Sequence, residues 1–282
     1  MATETGSTPV GAMNRRLTEF VSSEVLAATD PDAVELHAAT ADARVILTCD
    51  HASNRVPRAL AQLGLSDDAL ARHIGWDIGA AAVTRRLAAT LGASAVLAGY
   101  SRLVIDCNRD PDDPSSIPAA SDDVVVPGNR DLTDGARSAR RGAIFEPYHA
   151  AIARLIDAVL ARGVAPALVS IHSFTPSLGG RPRPWHVGIL WDGDGRIPTP
   201  LLAALRGDAA LVVGDNEPYS ARHPAGYTVR HHALGRGLPH VAIEIRQDEI
   251  AEAAGARVWA SRLASALKPI LADDALYRLW QK

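Results

Sequence analysis

Three short apolar runs each carry a residue able to hold a metal ion or move a proton. RVILTCDHASN leads to His51, PALVSIHSF to His172, and HVAIEIRQD contains Glu244. Runs of this length, rich in β-branched residues, predict buried strands. Polar side chains where such strands leave the core form the ligand-binding rim of an α/β sheet. Two neutral imidazoles and a carboxylate brought together there suit a catalytic zinc that keeps one position open to water. The expected chemistry is metal-dependent hydrolysis, with one Zn2+ per chain.

Other polar residues stand near these three. In Val241-Ala242-Ile243-Glu244-Ile245-Arg246 the alternation sets Glu244 and Arg246 on one face and three aliphatics on the other. A buried carboxylate needs a partner, so Glu244 is either paired with an arginine or serves as a general base beside a metal. Asp77 heads the helical pattern IGAAAVTRRLAATLG, where an aspartate either caps the helix or supplies an oxygen ligand; spacing leaves both readings open. Arg102, Asp106, Asn108 and Arg109 surround the run RLVID, and an Asn-Arg pair at a strand end binds a carboxylate through the guanidinium fork. The loop GGRPRPWHVG adds Arg181, Arg183 and His186, and DNEPYS adds Asn216, Glu217 and Tyr219. Arginines gathered near a metal predict a small anionic substrate. No GxSxG elbow, phosphate-binding glycine loop or CxxC pair is present. Cys49 as a nucleophile beside His51 lacks a third member.

The elements that must position these residues alternate along the chain. Expected strands at Val34–Leu36, RVILTC, ASAVLA, RLVID, PALVSIHS, WHVGILWD, ALVVGD and HVAIEI are separated by helical patterns. One helix is capped by Ser66, another stops at Gly92, a long one is disturbed at Pro147, and the last starts near Gly255. This order predicts a mostly parallel sheet with helices on both faces. The proline- and aspartate-rich stretch 108–129 is too polar for core and is expected to cover substrate. At 282 residues and 47% hydrophobic, the chain can fill one large core. A net charge of -3 without a basic run, and 5% aromatics, argue against nucleic acid or an acidic membrane as partner. Cys49 and Cys107 are expected to be buried free thiols. MATETGSTPVGAMNRR lacks the apolar core of a signal peptide and no stretch is long enough to span a bilayer, so a cytoplasmic location is expected. Residues 1–14 are expected to be a disordered tail and 15–282 a single catalytic domain.

The motifs CDHASNRVP, HIGWDIGA, YSRLVIDCNR, PYH, SIHSFTP, RPWHVGIL, DNEPYS and IEIRQD, in that order from about Arg44 to Trp259, together resemble the N-formylglutamate amidohydrolase family. The resemblance implies an α/β fold: a single-domain three-layer sandwich with a mostly parallel mixed sheet, zinc-carboxypeptidase-like (phosphorylase/hydrolase-like). It also implies hydrolysis of the N-acyl amide of an acidic amino acid, with N-formyl-L-glutamate giving formate and glutamate in histidine breakdown. His51, Asp77 and His172 are then the implied metal ligands and Glu244 the catalytic carboxylate. Asn108 and Arg109, helped by Arg102, would hold the α-carboxylate, with Arg183 or Arg246 meeting a side-chain carboxylate. One departure stands out. Zinc carboxypeptidases carry a His-x-x-Glu ligand pair, whereas the residue three after His51 is Asn54. Asp77 is the better third ligand, because carboxylate oxygen binds zinc more strongly than an amide. The rival expectations are a peptidase or cell-wall amidase of similar architecture, and a ligand-binding or regulatory protein without hydrolysis.

Overall fold

A computed structural model of the chain describes residues 25–39, 42–222 and 226–280; the expected tail at residues 1–14 lies outside them. Seven strands form the main sheet: β1 (Val34–His37), β2 (Val45–Cys49), β3 (Ser94–Ala98), β4 (Ala167–Phe174), β5 (Val187–Leu190), β6 (Val213–Asp215) and β7 (His240–Arg246). Their spatial order is β1-β3-β2-β4-β7-β5-β6. The pairs β2–β3, β2–β4, β4–β7 and β5–β6 are parallel, while β1–β3 and β5–β7 are antiparallel. All five residues of β2 and all four of β5 are buried. Strands covered on both faces need apolar side chains on both, which is why these segments read as unbroken apolar runs.

The helices that matter for the site are α1 (Ala80–Leu91), α2 (Glu146–Leu160), α3 (Pro198–Arg206), α4 (Tyr227–His232) and α5 (Ala253–Leu271). On one face, Leu87 of α1, Leu201 of α3 and Trp259 and Leu263 of α5 pack on Leu47, Val169, Ile171, Val241 and Ile243. On the other, Tyr148, Ile152 and Ile156 of α2 pack on Ile46, Val96 and Leu168. Burying a side chain of this size contributes about 1.5–3 kcal/mol, so these two clusters hold the three layers together. The fold is a single α/β domain with a mixed, mostly parallel sheet.

One local expectation is corrected and one is met in finer detail. Residues 102–106 (RLVID) form a turn at 102–104 followed by irregular chain and pair with no strand. Their apolar members Leu103, Val104 and Ile105 are buried in the α2-side cluster. Their carbonyls find side chains instead of a ladder: Asn129 Nδ2 donates to Leu103 O at 2.8 Å and Arg140 Nη1 to Val104 O at 3.1 Å. An apolar run can thus be core without being strand, provided its backbone is satisfied. The long helix expected through Pro147 is three pieces, Asp134–Arg140, a π-turn at Arg141–Phe145, and α2. Pro147 has no N–H for the turn before it, and that turn widens.

Candidate metal centre and substrate cavity

The sheet register brings the polar residues together. Glu244 of β7 sits directly beside His172 of β4. Thr48 of β2 is level with Ser170 of β4, so the chain leaving β2 delivers Asp50 and His51 to the same end of the sheet. Backbone bonds then fix Asp77: its N–H donates to His51 O at 2.9 Å, and its Oδ2 accepts the Ser173 N–H at 3.2 Å. Ser173 Oγ also donates to Ile78 O at 2.9 Å.

At the centre, Asp77 Oδ2 lies 3.3 Å from His51 Nδ1 and 2.8 Å from His172 Nδ1, with the two rings 5.1 Å apart. The ligand-type atoms of these three residues all lie within 4.8 Å of one another, and all three side chains are buried. Each imidazole turns its other nitrogen to a second carboxylate. His51 Nε2 is 2.7 Å from Asp106 Oδ1, and His172 Nε2 is 2.9 Å from Asp50 Oδ2 and 3.0 Å from Ser170 Oγ. Asp50 in turn accepts from Tyr148 Oη at 2.8 Å and Thr228 Oγ1 at 2.6 Å. Carboxylates behind metal-binding histidines orient the rings and raise their basicity.

This donor set fits a divalent cation. Every ring nitrogen of His51 and His172 faces a carboxylate, which favours the charged imidazolium form of both rings. Burial and Arg102 push His51 down, but Asp106 and Asp77 raise it overall. Burial likewise opposes charge on His172, and its bonds to Asp50 and Asp77 hold it well above the ordinary value. Asp77 is the mirror case: burial raises its carboxyl, and the two imidazoles bring it far below the usual range. His51, His172 and Asp77 would hold such a cation, with Asp50 and Asp106 left to orient the two rings from their outer nitrogens. Asp77 does not cap α1; that position is Gly79. Asn54 is half-buried and does not line the cavity into which these three residues open.

The site opens into a cavity of about 470 Å³ lined by His51, Asp77, His172 and Glu244. Glu244 makes no ion pair with an arginine among the described residues. Its Oε2 has no hydrogen-bond partner, and burial pushes its carboxyl up to about 7, with His172 opposing and Asp77 adding to the rise. Arg102, Asn108 and Arg109 also line the cavity. Arg102 is bound to Asp106 at 2.8 Å and to Asp77 at 3.6 Å.

Arg183 and Arg246 do not line it. Arg183 is drawn under Tyr219, donating to Tyr219 Oη at 3.0 Å and Thr175 Oγ1 at 3.2 Å. Arg246 turns away at the end of β7 to pair with Asp248 at 2.8 Å and Glu249 at 3.1 Å. The stretch 108–129 contributes only Asn108 and Arg109 to this cavity; Ser115, Pro118, Ser121 and Asp122 line an adjoining hollow of about 240 Å³ on the far side of Arg102. Cys49 is buried in the sheet core and burial pushes its thiol well up, so it is no nucleophile. Cys107 is likewise a buried free thiol.

The residues that sequence reasoning passed over are Asp50, adjacent to His51, and Arg230 on α4, which lines the cavity. Asp50 carries a signal, since an acid inside an apolar strand exit needs donors. Arg230 carries none, as its helix is short and its flanks are unremarkable.

A family model described as N-formylglutamate amidohydrolase matches residues 43–251. Among solved structures, a gene product of Agrobacterium tumefaciens is similar at 40% identity and a TM-score of 0.84, covering 88% of this chain and 98% of that one. An N-formylglutamate amidohydrolase from Ralstonia eutropha shares the fold at 20% identity and a TM-score of 0.67, covering 86% and 98%. No curated protein matches the chain. With the family model spanning the strands, α1 and the turns that carry His51, Asp77, His172 and Glu244, the chain belongs to the N-formylglutamate amidohydrolase family.

Proposed function

We propose that this chain is a zinc-dependent amidohydrolase that removes the acyl group from an N-acyl acidic amino acid such as N-formyl-L-glutamate. The observation that carries the metal is the convergence of His51 Nδ1, His172 Nδ1 and Asp77 Oδ2, with both outer imidazole nitrogens held by Asp106 and Asp50. A divalent ion held by those three residues supplies Lewis acidity for the amide carbonyl and lowers the pKa of water.

The chain's own residues do the rest. Glu244, with an unpartnered oxygen beside the cavity and a carboxyl near 7, is matched to take a proton from water and return it to the leaving nitrogen. Arg109, whose guanidinium makes no hydrogen bond or ion pair among the described residues, holds the α-carboxylate. Asn108 keeps its side-chain oxygen on the Thr228 N–H at 3.0 Å and so positions the wall. Arg102 helps to keep Asp106 anionic and pairs with Asp77 at 3.6 Å.

The test joins metal analysis to assay. Protein purified without added metal should carry about one zinc per chain, and chelation should abolish hydrolysis of N-formyl-L-glutamate until zinc is restored. Glu244→Gln should lower kcat by about 10²–10⁴-fold while zinc content is unchanged. Turnover that persists in that variant rejects Glu244 as the base. Zinc without turnover on any acyl amino acid points to a peptidase-type substrate, and absence of both points to a binding protein.

A further inference from the structure

Three arginines line the cavity, and they differ in what they already hold. Arg102 spends its guanidinium on Asp77 and Asp106. Arg109 and Arg230 make no side-chain hydrogen bond or ion pair among the described residues. A cavity with two uncommitted guanidinium groups is suited to a ligand with two anionic groups.

The two cations come from segments clamped to each other. Asn108 O accepts the Tyr227 N–H at 3.0 Å, and Asn108 Oδ1 accepts the Thr228 N–H at 3.0 Å. Gly226 lies so close that a Cβ there would meet Asn108 Oδ1 at 2.7 Å. Thr228 Oγ1 ties the same turn to Asp50, behind the metal ligand His172. The backbones that carry Arg109 and Arg230 are therefore held to each other, and to the centre, by one hydrogen-bonded unit. Leu190, Trp191, Val229 and Leu234 form the apolar wall of the cavity. Such a wall suits the methylenes that join two carboxylates, and it strengthens charge pairing by excluding water.

We propose that Arg230 is the specificity-determining residue that binds the substrate's side-chain carboxylate while Arg109 takes the α-carboxylate. This names the residue behind the preference for an acidic side chain and rests on the amidohydrolase reading above. It assigns to Arg230 the role expected of Arg183 or Arg246, both of which are engaged outside the cavity.

The test compares N-formyl-L-glutamate with N-formyl-L-glutamine, which has the same shape and a neutral side chain, in the zinc-loaded wild type, Arg230→Gln and Arg109→Gln. The wild type should favour the glutamate derivative by about 10- to 100-fold in kcat/KM, the range for a charge-assisted hydrogen-bonded pair. Arg230→Gln should cut that ratio by about tenfold or more, the change lying in KM for the glutamate derivative. Arg109→Gln should lower kcat/KM for both substrates and preserve the ratio, because both carry the α-carboxylate. A ratio that survives Arg230→Gln with both substrates still hydrolysed overturns the inference and leaves the amidohydrolase reading standing, whereas a ratio near one in the wild type overturns it together with the acidic-substrate part of that reading. Hydrolysis of neither substrate by the wild type overturns both.

Discussion

At the scale of single residues, the carboxylates behind the histidines decide what the centre can bind. Asp50 collects His172 Nε2, Tyr148 Oη and Thr228 Oγ1 while fully buried. Burial opposes its charge, but those bonds and the nearby imidazoles keep its carboxyl below the ordinary value. It therefore favours a proton on His172 Nε2, which under the proposed reading frees Nδ1 for a cation. Asp50→Asn should weaken zinc binding by about 10- to 100-fold, the usual cost of losing such a partner. Competition with a chromophoric chelator reads this directly, and an unchanged affinity would remove Asp50 from the metal's support.

At the scale of elements, the start of α1 places Asp77. Gly79 caps α1 with φ +82°, and a Cβ there would run into the backbone of Ile250. Gly79→Ala meets a left-handed backbone that costs an L-residue about 1–2 kcal/mol, with the collision added. The variant should melt at a lower temperature and also retain less zinc, since Asp77 lies two residues upstream. A loss of stability with full zinc affinity would show that α1 can shift without moving Asp77. Similarly, β4 and β7 position His172 and Glu244 through in-register parallel pairing, so their relation depends on the sheet rather than on any loop.

At the scale of the whole molecule, stability in acid should depend on a buried histidine pair outside the His51–Asp77–His172 cluster. His149 Nδ1 lies 2.9 Å from His232 Nε2, linking α2 to α4, and His149 Nε2 lies 2.9 Å from Cys107 O. Burial pushes His149 down to about 4, and burial together with its imidazole neighbours pushes His232 down to about 3. Both stay neutral in the fold while the unfolded chain takes up protons near pH 6.5. Their stabilisation is thus complete above pH 6.5 and is lost as pH falls toward 4. Between pH 7.5 and 5 the pair should contribute a loss on the order of 2 kcal/mol per histidine, read as the difference in pH dependence between wild type and the His232 variant. Urea midpoints at the two values check this, and His232→Gln should flatten the dependence. An equal drop in that variant would place the acid sensitivity elsewhere. Among the described residues no helix is long and apolar enough to cross a membrane.

Composition and the period of apolar residues sufficed to read the alternating α/β order, the helix stops and the strand ends that carry His51, His172 and Glu244, because burial on two faces leaves its mark in local residue choice. The family was legible in the motifs for the same reason. What only the tertiary structure decided is which polar groups meet. RLVID looks like strand because its side chains are core, yet Asn129 and Arg140, distant in sequence, satisfy its backbone. Arg183, Arg246 and Arg230 are alike as residue types. Two are captured by Tyr219 and by Asp248 with Glu249, and one faces the cavity. A guanidinium on a long, flexible stem takes whatever anion or acceptor the fold places within reach, and that choice is made by packing between segments far apart in the chain.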